Sequence, residues 1–172
     1  MEVLSALQAV KATIQDELKS LIDYPKAPYI KFVLIATSIE FLGACMDQKD
    51  WIPKKSQSEN RFNNAIKKLF PKQYHKYANK GATINLFRDF RCGMIHKLNQ
   101  ESNIRLTERR HESDNERLHL KIVDNQLVLV LEDFYEDLNR ACNELEKLYK
   151  NNKIPNRKLE DDYIHIVERK NK

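Results

Sequence analysis

Apolar residues recur every three or four positions in five stretches of the chain, and this spacing predicts amphipathic helices. The second stretch is apolar on nearly all sides, so it predicts the central and most buried helix. Tyr24-Pro25 separates it from the first stretch, and Pro71 ends the third. A mainly α-helical bundle of about five helices is therefore expected. The predicted helices cover residues 3–22, 29–46, 56–70, 83–98 and 132–149, with a short helical turn at 74–80.

The pattern changes between the fourth and fifth predicted helices. Residues 101–116 are highly charged and have no periodicity, which predicts a loop. Apolar and polar residues then alternate over 118–122, and Asp124-Asn125 supplies a turn before the apolar run 127–131. This combination predicts a β-hairpin at about 118–131 that packs on the helices, because an isolated hairpin is only marginally stable.

The length of 172 residues suits one domain. No repeat or linker divides the chain, so residues 1–150 are expected to form a single domain, with 151–172 as a polar C-terminal tail, docked or frayed. With 41% hydrophobic and 32% charged residues, the chain is too apolar for general disorder and too polar for a membrane protein. Three glycines and five prolines are few for barrel or dinucleotide-binding folds, which need many tight turns.

Charge and cysteine content indicate which partners and which cellular compartment to expect. Thirty Lys and Arg residues against twenty-five Asp and Glu leave a net charge of +5, which permits a polyanionic partner without requiring one. The three cysteines are odd in number and widely spaced, which favours a reducing compartment, the cytoplasm. No signal peptide or membrane span is expected, because the best apolar stretch, 32–36, stops at Thr37.

The segment 86–98 carries the most informative polar residues. Arg91 and His96 are separated by four residues inside an otherwise apolar helix, where polar groups need partners. The segment resembles the R-x4-6-H motif of the HEPN superfamily. Its order of an aromatic residue, Arg91, a small residue, Gly93, two aliphatic residues and His96 is similar to a bacterial branch of that family. The helices before the motif and the hairpin and helix after it are similar as well.

The resemblance covers nearly the whole chain up to Tyr149 and implies a HEPN-like helical bundle. It implies a metal-independent endoribonuclease, with Arg91 and His96 as catalytic residues, RNA as substrate and no cofactor. Such proteins occur in toxin–antitoxin and phage-defence systems, so an antitoxin or another protein partner is also implied. They commonly form homodimers that place two copies of the motif in one cleft.

The chemistry of RNA cleavage suits these two residue types. RNA is cleaved without a metal when the ribose 2′-hydroxyl attacks the neighbouring phosphate, which needs proton transfer and a cation at the crowded phosphate. A histidine titrates near neutral pH, so His96 suits proton transfer. Arg91 presents a permanently charged planar fork to phosphate oxygens. The expected products carry 2′,3′-cyclic phosphate and 5′-hydroxyl ends, and cleavage is expected to survive chelators.

The spacing of the motif raises a geometric question. On an ideal helix, five positions at roughly 100° each place Arg91 and His96 roughly 140° apart, too far to face one point easily. Either the helix is distorted or two subunits share the site. Gly93 lies between them and would let another backbone approach closely at that level. A homodimer is therefore expected.

Three neighbours of the motif are candidates for supporting roles. Arg88 lies one turn before the motif arginine and could extend the basic surface toward RNA. Asp89 and Cys92 share a helical stripe with His96. Asp89 is two turns from the histidine and could orient it only indirectly. Cys92 is one turn away, so a nucleophilic pair is an alternative, although cysteine in an apolar helix is usually packing material.

Glu40 is an isolated acid in the apolar second helix, so it is a candidate partner that holds Arg91 in place. Such a pair would also exist if both motif residues were purely structural. A second alternative is a non-catalytic HEPN-like module that binds RNA, nucleotide or a partner protein. It is favoured by Cys92, because the residue after the arginine is often Asn, Asp or His in that family. A third is an unrelated monomer with both motif residues buried.

The sequence lacks the motifs of several common binding and catalytic sites. The chain has no Walker loop and no GxGxxG or GxSxG motif. The remaining histidines are expected in polar or surface-like surroundings without metal-ligand spacing, which argues against a zinc site. They are His75, His111, His119 and His165.

Overall fold

The structure is a computed structural model and describes residues 2–111, 117–154, 157–160 and 162–166. Within these residues the fold is mainly α-helical with two small β-sheets, which confirms the expected class. The main helices are α1 (residues 6–22), α2 (Pro28–Cys45), α3 (Gln57–Leu69), α4 (residues 86–97) and α5 (Leu131–Lys150). The shorter elements are the 3-10 helices Lys72–Ala78 and Arg109–His111, α6 (Arg157–Glu160), and the strands β1 (Glu2–Ser5), β2 (Ile104–Thr107), β3 (Ile122–Val123), β4 (Gln126–Val130) and β5 (Asp162–Ile166).

Helix α2 lies at the centre of the core, as its uniform apolarity predicts. Its length and apolar composition would allow it to cross a membrane, but half of the helix is buried inside the fold, as in the core helix of a soluble protein. Lys31 is buried in the same helix and donates to the carbonyl oxygens of Ile22, at 3.2 Å, and Tyr24. The ammonium group therefore satisfies carbonyls at the C-terminal end of α1.

Helix α3 packs directly against α2 because Gly43 has no side chain at their crossing. A Cβ atom on Gly43 would lie 2.0 Å from the carbonyl oxygen of Arg61 and 2.8 Å from its Cα. The guanidinium of Arg61 is also buried, and its Nε donates to Oδ2 of Asp47 at 2.7 Å. This crossing fixes both helices and the loop that connects them.

An aromatic cluster anchors α4 in the core. Phe90 of α4 packs edge-on against Phe32 of α2, with ring centroids 6.2 Å apart, and at 5.5 Å from Phe134 of α5. All three rings are almost completely buried, and Leu86 and Met94 of α4 are fully buried beside them. Such aromatic contacts add to the burial of apolar area. The apolar side of α4 therefore determines where its polar residues lie.

The predicted first helix is wrong at its start, because Glu2–Ser5 form strand β1. The Oγ of Ser5 accepts a hydrogen bond from the N–H of Gln8 at 3.2 Å, and the Gln8 side chain accepts one from the N–H of Ser5 at 2.8 Å. This capping box starts α1 at Ala6. Within α1 the segment Val10–Glu17 is π-helical.

The C-terminal segment is docked on the fold where the structure describes it. Strand β5 pairs antiparallel with β1, with His165 opposite Val3. Ile154 is 8% exposed and Leu159 is 1% exposed, and both join the hydrophobic core. These residues are therefore docked on the fold and not frayed, and the core extends beyond residue 150.

The predicted loop at 101–116 is wrong over Ile104–Thr107, which form strand β2. The strand runs parallel to β4, with Ile104 opposite Leu127. Ile104 is 1% exposed, and Leu106 packs against the core from the same strand face. The partner strand lies far along the chain, so local periodicity gives little indication of the pairing. Residues 112–116 lie outside the described residues.

The predicted hairpin is confirmed, with a shorter first strand. Strands β3 and β4 are antiparallel and joined by Asp124 and Asn125, whose φ angles of 49° and 64° suit a tight hairpin turn. Leu120 also has a positive φ of 61°, so the expected strand over 118–121 does not form. Leu131 begins α5 instead of ending β4. Strand β4 lies between β2 and β3, and its residues 127–130 are fully buried.

Candidate functional site

Helix α4 carries the motif and has an irregular course. The side chain of Asn85 accepts a hydrogen bond from the N–H of Arg88 at 2.8 Å and caps the start of the helix. The segment Leu86–Cys92 is π-helical, the segment Gly93–Lys97 is α-helical, and Leu98 ends the helix with a φ of 52°. Short π-helical segments are rare and frequently occur at functional sites.

The side chains of Arg91 and His96 meet within one chain. Nη1 of Arg91 lies 3.5 Å from Nε2 of His96. A guanidinium can only donate, so Nε2 is on the accepting side of this contact. Of the two geometric alternatives, a distorted helix or a site shared by two subunits, the structure has the distorted helix. Its geometry changes from π to α between these two residues. His96 is exposed, which does not fit an unrelated protein with both residues buried.

Glu40 of α2 holds Arg91 from the other side, as predicted. Nη2 of Arg91 lies 2.6 Å from Oε2 of Glu40, and these side chains are only 14% and 15% exposed. The guanidinium also lies 5.4 Å from the ring centroid of Phe87, a cation–π distance. Within the described residues, the buried Nε of Arg91 makes no hydrogen bond. These contacts fix the guanidinium with Nη1 beside His96.

Asp89 is buried near the N-terminal start of α4 and accepts several hydrogen bonds there. It is 2% exposed, and its Oδ2 accepts hydrogen bonds at 2.8 Å from the backbone N–H of Asn85 and from the side chains of Arg88 and Asn103. Burial alone raises the pKa of Asp89, but these hydrogen bonds outweigh it and lower the pKa below its usual value. Asp89 therefore joins the start of α4 to the segment that enters β2, with Arg88 paired to it.

Gly93 is packed against its own chain. A Cβ atom at this position would lie 2.3 Å from the carbonyl oxygen of Asn99. The predicted close approach of another backbone is therefore present, but it comes from the turn after α4 and needs no second subunit. Cys92 is a partly buried free thiol. The homodimer thus depends on the resemblance alone, because the angle between the motif residues no longer requires one.

A small open cleft continues from Arg91 and Glu40 toward two aromatic rings. Phe41 and Trp51 are stacked along it, with ring centroids 5.6 Å apart and ring planes 16° apart. We call it the aromatic cleft; residues that line it include Thr37, Glu40, Phe41, Trp51, Pro53 and Arg91. Trp51 lies between the second and third predicted helices, and nothing local in the sequence places that segment beside α2.

A buried polar network involves His119; its surroundings are polar, as one predicted alternative has it, but the surface-like alternative is wrong. The His119 side chain is 8% exposed, and its Nε2 lies 2.6 Å from the hydroxyl of Tyr74. That hydroxyl donates to Oδ2 of Asp137 at 2.7 Å, and Nδ1 of His119 accepts from the N–H of Val130 at 3.0 Å. Burial lowers the pKa of His119 to about 4 and raises the pKa of Asp137.

The described part of the chain contains no group of three or more His, Cys, Asp or Glu side chains that could hold a metal ion. The chain matches no protein-family model, no curated protein and no solved structure. The resemblance to HEPN domains therefore stays a prediction from residues 86–98 and the order of the elements. The chemistry that the chain can perform follows from the geometry of the site.

Proposed function

We propose that this chain is a metal-independent endoribonuclease of the HEPN type, with Arg91 and His96 as its catalytic residues. The observation that carries the proposal is the 3.5 Å separation of Arg91 Nη1 and His96 Nε2. It puts a permanent cation and a proton-transfer group within reach of one phosphodiester. The 2.6 Å ion pair with Glu40 supports this role, because a guanidinium fixed before substrate binds loses little freedom on binding.

The reaction needs no group beyond those that the chain and the RNA supply. Neutral His96 takes the proton of the ribose 2′-hydroxyl, and the 2′ oxygen attacks the adjacent phosphorus. The bond from phosphorus to the 5′ oxygen breaks, and that oxygen takes up a proton from His96 or from water. Arg91 stabilises the negative charge that develops on the phosphoryl oxygens. The products end in a 2′,3′-cyclic phosphate and a 5′-hydroxyl.

The biological setting of the proposal follows from the resemblance. RNA is the substrate, and a homodimer would place two Arg91–His96 pairs in one cleft. A cytoplasmic toxin or phage-defence component, controlled by an antitoxin or another protein, is the role that such domains commonly have. The free cysteines Cys45, Cys92 and Cys142 agree with a reducing compartment.

Cleavage of RNA in the presence of EDTA tests the proposal. We expect purified wild type to cleave, and Arg91→Ala and His96→Ala each to lower the rate by about 100-fold or more. The exposed residues Arg105 and His111 supply matched controls, and their alanine variants should keep full activity. Circular dichroism confirms that each variant is folded. A strictly Mg²⁺-dependent activity would contradict the mechanism.

A non-catalytic module that binds RNA, nucleotide or a partner protein is the second candidate. The observation that favours it is the same ion pair, because Glu40 neutralises the charge of Arg91 and occupies its Nη2. Cys92, in the place where the family often has a polar residue, favours it as well. A folded wild type that binds RNA but leaves varied RNAs intact would select this candidate.

A further inference from the structure

The aromatic cleft is lined by Arg91 of the proposed catalytic pair and by the stacked rings of Phe41 and Trp51. Glu40, which pairs with Arg91, and Pro53 also line it. Its volume of about 230 Å³ is below the roughly 300–1,000 Å³ of pockets that enclose a whole small molecule. The cleft is therefore suited to one part of a larger ligand.

The backbone that carries Trp51 is fixed from beneath. Nη1 of the buried Arg61 donates to the carbonyl oxygen of Trp51 at 2.8 Å, and Nη2 donates to that of Asp50 at 2.5 Å. Nε of Arg61 donates to Asp47 at 2.7 Å. Three points of one connecting loop are thus held by a single rigid guanidinium. The aromatic surface is in place before any ligand arrives, which reduces the cost of binding.

We infer that the aromatic cleft binds one base of single-stranded RNA, in the nucleotide next to the phosphate held by Arg91, by stacking at the Trp51–Phe41 pair. The inference builds on the proposed function, since it extends the same site along the substrate. Aromatic side chains beside a cationic phosphate site are the common means of binding unpaired nucleotides, because every base has a π-face. A duplex keeps its bases stacked on each other, so single strands and loops are the substrates this site takes.

Intrinsic fluorescence reports on this subsite directly, because Trp51 is the only tryptophan of the chain. The probe is a short single-stranded 2′-O-methyl oligoribonucleotide, which lacks the nucleophilic 2′-hydroxyl and is therefore bound without being cleaved. We expect its addition to quench the emission of the wild type in a saturable manner. The same oligonucleotide annealed into a duplex should leave the emission nearly unchanged.

Affinity measured by anisotropy of the labelled oligonucleotide gives a second readout. Trp51→Ala should weaken binding by roughly 5- to 150-fold, the effect of losing one base–aromatic stack. Trp51→Phe keeps an aromatic face and should recover most of that loss. Ile52→Ala is the matched control, because Ile52 is the next residue and is 83% exposed. In cleavage assays, Trp51→Ala should raise KM with little change in kcat.

The outcomes separate this inference from the proposed function. The base subsite alone would be overturned by three results together. The wild type cleaves RNA, the oligonucleotide leaves Trp51 emission unchanged, and the oligonucleotide binds the Trp51→Ala variant as tightly as the Ile52→Ala variant. Quenching and loss of affinity in Trp51→Ala without any RNA cleavage would support the subsite and overturn the nuclease. Failure of the oligonucleotide to bind any of these proteins would overturn the subsite as well.

Discussion

Replacing Gly43 by alanine tests how closely α2 and α3 approach each other. The new Cβ would meet the Arg61 carbonyl oxygen at 2.0 Å, its carbon at 2.4 Å and its Cα at 2.8 Å. These are backbone atoms of α3, so they cannot rotate away as a side chain could, and the helices must separate. Overpacking of this kind costs about 3 kcal/mol at the upper end of its usual range. Alanine recovers about 1 kcal/mol of helix propensity, so a net loss of about 2 kcal/mol is expected.

Thermal unfolding of the Gly43→Ala variant measures this loss. For a chain of this length, about 2 kcal/mol corresponds to a fall in Tm of about 4–8 °C. Gly81→Ala is the control, because a Cβ on Gly81 would meet no atom within 4 Å, and its Tm should stay close to that of the wild type. Trp51 emission should also shift in Gly43→Ala, because Arg61 holds the Trp51 loop. Equal Tm values for both variants would refute the close helix crossing.

Three further variants test other parts of the account. The folded-state pKa of His119, about 4, lies below its usual 6.5, so the folded state resists protonation and the free energy of unfolding should fall by about 3 kcal/mol between pH 6.5 and 4. Urea unfolding measured at several pH values in this range gives the dependence of the free energy of unfolding on pH, which His119→Gln should reduce. An equal pH dependence in wild type and variant would contradict the buried histidine. Lys31→Met leaves the carbonyls of Ile22 and Tyr24 without their donor and should cost about 1–3 kcal/mol in urea unfolding, whereas an unchanged midpoint would contradict the cap. Arg91→Lys keeps the charge but loses the planar fork, so the cleavage rate should fall roughly tenfold, and full activity would exclude a role for the fork.

Local patterns predicted the elements whose physics is local. The uniform apolarity of α2 indicated a central helix, and Asp124-Asn125 indicated the hairpin turn, since both signals lie within a few residues. The predicted start of α1 at residue 3 was wrong. Ser5 and Gln8 have the spacing of a capping box in the sequence, and this box starts the helix at Ala6. Strand β2 was missed because its partner β4 is distant in the chain, and tertiary pairing overrides local charge.

The candidate site was predictable in its members more than in its geometry. The ion pair of Glu40 and Arg91 could be predicted, because an isolated acid in an apolar helix needs a partner. The contact of Arg91 with His96 depends on a π-helical segment that hydrophobic periodicity does not encode. Trp51 reaches the site only because the buried Arg61 holds its loop, which is a tertiary effect.

Complementation of two inactive variants tests most directly the claim that Arg91 and His96 of one chain form a metal-independent ribonuclease site. Cleavage of RNA in EDTA is measured for wild type and for co-expressed Arg91→Ala and His96→Ala chains, so that mixed dimers can form. We predict that the wild type cleaves and that the mixture stays inactive, because each chain lacks one member of its own pair. Activity regained by the mixture would show a site shared between subunits, and no cleavage by folded wild type would contradict the nuclease itself.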